Sequence, residues 1–285
     1  MWDLKRIVDF SKKEKLDSIS LVVVGRNDNY GGDFSKRLQV TLDWNYAHLP
    51  NAELIYVEWN LLKDRPSDCA WIAERYKNSK CFIVPEEIHN SICQNPKMPM
   101  MEYFAKNMGI RKATNEWILM VNADVFIGND VINNMQKLNR DTVYATHYVS
   151  IKWDKKPLAD YHQEDKKNVV IAFPAPRNPD SVVGNFILTG KKNWLNATGY
   201  DEKLNNVRAG VDGNGLDQLL HLGLKKKVLG HHYHLDHPES IIHGNNETHG
   251  YHHFNNIPYK NPDDWGLINY PLKQISDRIW ELQKI

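Results

Sequence analysis

Four short apolar runs restrict what this chain can fold into: Ile19–Val24 (ISLVVV), Glu53–Val57 (ELIYV), Cys81–Val84 and Trp117–Val121 (WILMV). Each is brief and rich in bulky or β-branched residues, the pattern of a strand buried on both faces of a sheet. The segments between them read as helices at Phe34–Leu49, Ala70–Lys77 and Met101–Ala113, while the proline-bearing stretch Glu86–Pro99 reads as loop. Repeated strand–helix alternation predicts an α/β fold, a three-layer α/β/α sandwich around a mostly parallel sheet.

The fourth run stops at Asn122-Ala123-Asp124 and resumes as Val125-Phe126-Ile127. That places a carboxylate at the C-terminal edge of a buried strand, where open α/β sheets bind ligands. The plainer reading is a polar turn. The first run ends in Gly25-Arg26-Asn27-Asp28-Asn29-Tyr30-Gly31-Gly32, a strand giving way to glycine and asparagine before a helix. That is the layout of a nucleotide-binding edge, yet it carries neither GxGxxG nor GxxxxGK[ST], so neither a Rossmann dinucleotide site nor a P-loop is supported.

Composition removes other classes. Lys+Arg 36 against Asp+Glu 35 leaves a net charge of +1, so bulk electrostatics suggest neither nucleic acid nor an anionic membrane as partner. Three cysteines without CxxC spacing argue for a reducing compartment rather than a disulfide framework. The charged start, MWDLKRIVDFSKKEKLDS, does not read as a signal peptide, and no run reaches the length of a membrane span. A soluble, cytoplasmic protein is the expectation. Trp2–Leu16 reads as a short amphipathic helix, and Leu272–Ile285, with Leu272, Ile275, Ile279, Trp280 and Leu282, as another packed on the outside.

The residues Ala105 to Asp124, AKNMGIRKATNEWILMVNAD, resemble a stretch of the family-2-like, GT-A-fold glycosyltransferases. There a basic-Asn-x-Gly-Ile helix leads through a small residue into the strand that carries a DxD motif; Asn122 here replaces the first Asp and Asp124 keeps the second. Lys192 to Glu202, KNWLNATGYDE, is similar to the family's acceptor-side GG(F/Y)DE segment. Gly213 to Leu224, GNGLDQLLHLGL, is similar to its ED-x-D-L helix, with Leu216 in the Glu position. The three segments follow the family's order.

The resemblance implies transfer of a sugar from a UDP- or GDP-sugar to a hydroxyl of a glycan or glycoconjugate. A divalent cation, Mn²⁺ or Mg²⁺, would neutralise the departing diphosphate. Asp124 is the implied ligand, with His234 as its first partner and His237 as the next, both from the run His231-His232-Tyr233-His234-Leu235-Asp236-His237. Any one histidine there is more often a hydrogen-bonded or surface residue than a ligand. Gly25, Arg26, Asn27 and Asp28, with Asn122 and Ala123, would border the donor. Glu58 would meet base or ribose, or else form a turn salt bridge with Arg65. Lys106 and Arg111 would face the diphosphate, or simply form a solvated face.

For an inverting reaction a base must take the acceptor proton. Asp217 has that position by resemblance, at the start of a helix after a turn at Gly213 and Gly215, unless it only caps the helix; Asp212 is the fallback. Trp194, Tyr200, Asp201 and Asp212 would line the acceptor pocket, although Trp194 fits a core equally well. A second cluster, His243, His249, His252 and His253, reads as a loop over the site. The expected organisation is one GT-A-like domain over residues 1–240, with a donor half near 19–127 and an acceptor half near 128–240. Residues 241–285 would form a loop and helix packed on it. The competing reading is a non-catalytic carbohydrate- or nucleotide-binding relative. A sugar nucleotidylyltransferase is disfavoured because GRNDNYGG is not a basic glycine-rich loop, and a zinc hydrolase because HExxH is missing.

Overall fold

Strand β1 (Ile19–Gly25) lies at the middle of the structure, and its alternating side chains show why the sheet has helices on both sides. Leu21 and Val23 pack into one cluster with Leu38, Leu42, Cys69 and Ile72, residues of helices α1 (Phe34–His48) and α2 (Asp68–Arg75). Val22 and Val24 point the other way, against Tyr103 and Met108 of α4 (Glu102–Lys112), Trp194 of α6 (Lys191–Ala197) and Leu219 of α7 (Val211–His221). The period-2 alternation of a strand thus splits one apolar run between two cores. Gly109 lets α4 lie close on β1, since a Cβ there would stand 2.3 Å from Val22 Cγ1.

This computed structural model describes residues 18–154, 158, 169–173, 184–205, 211–239 and 258–284, with 169–173 and 211 as backbone only. The expected helix at Trp2–Leu16 and the histidine loop at 243–253 lie outside the described residues.

The remaining strands are β2 (Glu53–Trp59), β3 (Ser79–Val84), β4 (Trp117–Val121), β5 (Val125–Ile127), β6 (Thr142–Ile151), β7 (Val169–Phe173), β8 (Phe186–Gly190), β9 (Lys225–Leu235), β10 (Leu272–Ser276) and β11 (Ile279–Leu282). Eleven strands form one sheet in the order β10-β11-β3-β2-β1-β4-β8-β6-β9-β5, with β7 on β6. The run β11-β3-β2-β1-β4 is parallel throughout. Beyond β4 the pairings with β8, between β6 and β8, and between β5 and β9 are antiparallel, while β6 and β9 pair in parallel. The expected three-layer α/β architecture with helices on both faces is what the chain adopts.

Two elements differ from expectation. The segment read as loop contains helix α3 (Glu86–Ile92). Its prolines do not interrupt it, because Pro85 occupies the N-cap and Pro96 and Pro99 fall beyond its end. The segment read as a C-terminal helix is instead the hairpin β10–β11. Arg278 turns it with a φ of 59°, and β11 adds to the free edge of β3, where Trp280 stacks on Phe82 at 5.5 Å. Spacings of three and four residues fitted a helix, but the open backbone groups of β3 are satisfied only by a strand. No helix among the described residues is long and apolar enough to cross a membrane.

Candidate metal and donor site

Parallel strands β1, β2 and β4 bring Gly25, Glu58 and Asn122 to the same edge of the sheet. The chain after β4 is fixed there by α1. Thr41 donates to the Ala123 carbonyl at 2.6 Å, Trp44 Nε1 to Ile127 O at 2.8 Å, and Asn45 both donates to Val125 O and accepts from Ile127 N. These three side chains sit at three- and four-residue spacing on one helix face, so a single helix replaces a missing strand neighbour. Asp124 is aimed as a result.

Opposite Asp124, β9 pairs Val125 with His234. Asp124 Oδ2 lies 3.5 Å from His234 Nε2 and 3.2 Å from His237 Nε2. One ligand atom from each of Asp124, His234 and His237 falls within 4.8 Å of the others, and all three side chains are largely buried. Ser150 Oγ meets His234 Nδ1 at 3.1 Å, which turns Nε2 towards Asp124 in the manner of an outer partner of a metal ligand. Burial alone would raise the Asp124 carboxyl, but the imidazoles of His234 and then His237 hold it well below the usual carboxylate range. One carboxylate and two imidazoles aimed at a common point suit Mn²⁺, Zn²⁺ or a related ion.

The other histidines of the run do different work. His232 is fully buried, meets Thr146 Oγ1 at 2.7 Å, and is pushed down to about 3 by burial and then by His234, His231 and His147. His231 is engaged by Asp130 of α5 (Asn129–Asn134) at 2.8 Å.

Beside the trio lies a second polar cluster. Lys106 of α4 is fully buried, donates to Asn122 Oδ1 at 2.8 Å and pairs with Glu102 at 2.6 Å and with Asp212. The Asn122 amide donates to Asp212 Oδ2 at 3.2 Å. Burial pulls the Lys106 ammonium down, but Asp212 and Glu102 outweigh it and its pKa is raised. Asn122 therefore joins Lys106 and Asp212 to the strand end that also carries Asp124.

Several sequence expectations change in this setting. Asp217 is not at a helix start: α7 begins at Val211, so Asp212 occupies its first turn. Five residues on, Asp217 points about 140° round the helix from Asp212. Gly213 and Gly215 lie within the helix, and a Cβ at Gly215 would stand 2.2 Å from Tyr200 Cε1, so that glycine serves packing rather than a turn. Arg111 faces away from Lys106, donating to Asp263 O at 3.0 Å and covering the Trp265 ring at 4.7 Å. Trp194 and Tyr200 are wholly buried and stacked at 5.2 Å, so they offer no open face to a sugar. Asp201 forms a turn, accepting from Lys203 N at 2.8 Å.

Glu58 is fully buried, and its carboxylate is spent on the start of α2 rather than on Arg65: it accepts from Ser67 Oγ, Asp68 N at 2.8 Å and Cys69 N at 3.2 Å. Asn27 donates to Leu62 O at 3.0 Å and accepts from Leu62 N at 2.9 Å, so its side chain is spent on the loop after β2. Arg26 and Asp28 pair at 2.9 Å at the mouth of that loop. Gly25 leaves room for Tyr56 and Phe34. Sequence reasoning missed Arg37, whose buried guanidinium donates to Tyr30 O at 2.6 Å and Gly31 O at 3.3 Å. Its signal was present: it shares the apolar face of α1 with Phe34, Leu38 and Thr41.

No protein-family model matches the chain, and no curated protein sequence does. Among solved structures it is similar to GalNAc-T7 with UDP, GalNAc and Mn²⁺, with a TM-score of 0.51 and 13% identity over 77% of this chain and 43% of that one. The fold is GT-A. Mannosyltransferase PcManGT from Pyrobaculum calidifontis, in complex with GDP-Man and Mn²⁺, matches 76% of this chain and 56% of its own, at 13% identity and a TM-score of 0.47. This GT-A chain thus spans about half the length of either protein.

Proposed function

We propose that this GT-A chain is a metal-assisted glycosyltransferase, moving a sugar from a UDP- or GDP-sugar to a hydroxyl of a glycan or glycoconjugate. The observation that carries the reading is the convergence of Asp124, His234 and His237 within 4.8 Å at the ligand-binding edge of the sheet. That the solved structure of GalNAc-T7 holds UDP, GalNAc and Mn²⁺ on the same fold supports it. Asp124, His234 and His237 would hold the cation, which supplies neutralisation of the diphosphate charge that grows as the sugar departs.

The base we assign is Asp212 rather than Asp217. Its carboxylate stands in the cluster with Asn122 and is 22% exposed, open enough to meet an acceptor hydroxyl. Lys106 pairs with that carboxylate and aims it, and Asn122 donates to its second oxygen. Attack from the face opposite the leaving diphosphate would invert the anomeric carbon. The three free cysteines accord with a cytoplasmic setting.

Calorimetric titration with UDP and with GDP, each with and without Mn²⁺, tests the reading on the native chain and on Asp124→Ala. Metal-dependent binding of one nucleotide, lost in the variant, is the expected result. Failure of both nucleotides to bind under every metal condition would sink it. A non-catalytic relative is the second reading, favoured by the Asn122 amide, which removes one carboxylate of the motif and bonds Asp212 instead. That relative would bind nucleotide and release no sugar from any donor.

A further inference from the structure

His237 follows the end of β9 at Leu235, so no neighbouring strand sets its ring. Its Nε2 points at Asp124, yet its Nδ1 is buried and lacks a hydrogen-bond partner among the described residues. A ligating histidine ordinarily has its second nitrogen held by a carboxylate, a carbonyl or a hydroxyl. Besides Asp124 and the His234 ring at 5.3 Å, the turn between β1 and α1 touches it.

Gly31 stands directly against the imidazole. A Cβ there would lie 2.3 Å from His237 Nδ1 and 2.7 Å from Cγ, closer than any side chain allows. Tyr30 closes the edge of the ring, with centroids 4.8 Å apart and planes at 72°, and its hydroxyl donates to Glu239 O at 2.6 Å, two residues past His237. The turn is itself held from below: Arg37 donates to the carbonyls of Tyr30, Gly31 and Gly32. Gly31 and Gly32 both adopt positive φ, at 63° and 70°.

We propose that the Tyr30–Gly31 turn is the positioning element of the metal ligand His237, holding its ring by contact where other ligands are held by a hydrogen bond. Gly31 is the specific requirement, because it is the one residue type whose surface fits that close to the ring. The turn continues the Gly25–Asp28 loop, which the sequence reading set beside the donor, so one segment would border both the nucleotide and one ligand of the cation. The inference rests on Asp124, His234 and His237 being a metal centre.

Gly32 supplies the control. It has the same backbone conformation as Gly31, but a Cβ there meets nothing within 4 Å. Mn²⁺ affinity is to be measured by electron paramagnetic resonance, with and without UDP or GDP, for the native chain, Gly31→Ala and Gly32→Ala. The same is done for His237→Ala with and without Gly31→Ala. We expect Gly31→Ala to weaken Mn²⁺ about 10–100-fold, as loss of an outer support does elsewhere. Gly32→Ala should change it by less than ~3-fold, and Gly31→Ala should add less than ~3-fold once His237 is already alanine, since its effect runs through that ring. The absorption of bound Co²⁺ should change in Gly31→Ala and not in Gly32→Ala, a signature that mere loss of stability does not produce.

Native-like Mn²⁺ affinity in folded Gly31→Ala, or an equal loss in Gly32→Ala, overturns the proposal. So does a full Gly31→Ala effect in the His237→Ala background. If Gly31→Ala does not fold, Tyr30→Ala carries the test, with a weakening of about 3–10-fold expected and native affinity overturning it. Absence of Mn²⁺ binding in the native chain, or native affinity in Asp124→Ala, instead removes the metal centre itself.

Discussion

Lys106 offers a perturbation whose size follows from its surroundings. Its ammonium is wholly buried, 2.6 Å from Glu102, 2.8 Å from Asn122 Oδ1 and in contact with Asp212. Lys106→Met keeps the stem's bulk and removes the charge. At an effective dielectric of about 20, a contact near 3 Å carries roughly 5 kcal/mol of attraction, most of it offset by taking the ammonium out of water. What the variant leaves behind matters more: two carboxylates facing one another with no cation between them. Removing one member of a buried pair costs about 3–5 kcal/mol. The side chains of Asp212 and Glu102 are 22% and 28% exposed, so water recovers part of the loss and about 3 kcal/mol is expected. Urea denaturation should show the midpoint fall by about 1 M for a slope near 3 kcal/mol per M. Lys106 has its pKa raised in the fold, so its contribution is complete below the unfolded value near 10.4 and is lost only as pH climbs through the folded one. The difference between native and variant attributable to Lys106 should therefore be flat from about pH 6 to 9. Adding Asp212→Asn to Lys106→Met should restore about 1 kcal/mol or more. A loss below about 1 kcal/mol, the size of an exposed ion pair, would refute this account of the cluster.

Other outcomes follow from the same geometry. Asp212→Asn should lower donor-sugar turnover by about 10²–10⁴ while nucleotide binding persists, whereas Asp217→Asn should stay within ~3-fold; the reverse ranking in a nucleotide-release assay would return the base to Asp217. Glu58→Ala should cost about 2–3 kcal/mol in thermal or urea unfolding, because it strands two amides at the start of α2; a neutral effect would mean that water replaces it. Burial, and then the Arg26 guanidinium, push buried His89 below the usual histidine range, so the unfolded chain takes up a proton that the folded one refuses. That contribution is present above about pH 6.5 and is lost as pH falls below it. The native chain should therefore lose more stability between pH 7.5 and 5.5 than His89→Gln does, as read from urea midpoints at the two values.

How much of this was legible in the sequence depended on whether the signal was local. The apolar runs of β1 to β4 were, since a strand covered on both faces is apolar along its whole length. The trio Asp124, His234 and His237 was reached through residue type and resemblance, although strand alternation would have set His237 on the face opposite His234. It escapes that parity because β9 ends at Leu235 and the chain is free to turn back. Asp217 was set at a helix start because two glycines look like a turn, and only the Tyr200 ring reveals that Gly215 lies inside the helix to admit it. The sequence left Arg111 and Trp194 open between two readings each, because what faces them is distant in sequence. Trp265 covers the first, and Tyr200 stacks on the second within the core that also holds Trp265.

The β10–β11 hairpin sets an order in time. Strand β3 has β2 on one side and only β11 on the other, so one of its edges waits for residues 279–282 to be synthesised. At about 5–20 residues per second, roughly 10–40 s separate the emergence of the two strands. During that interval Cys81, Phe82 and Ile83 present an unpaired edge to any other nascent chain nearby. Once β11 docks, the outermost strand becomes β10, an exposed border in which Lys273, Gln274 and Ser276 flank the exposed Ile275. The hairpin is thus what covers the edge that β3 would otherwise leave open.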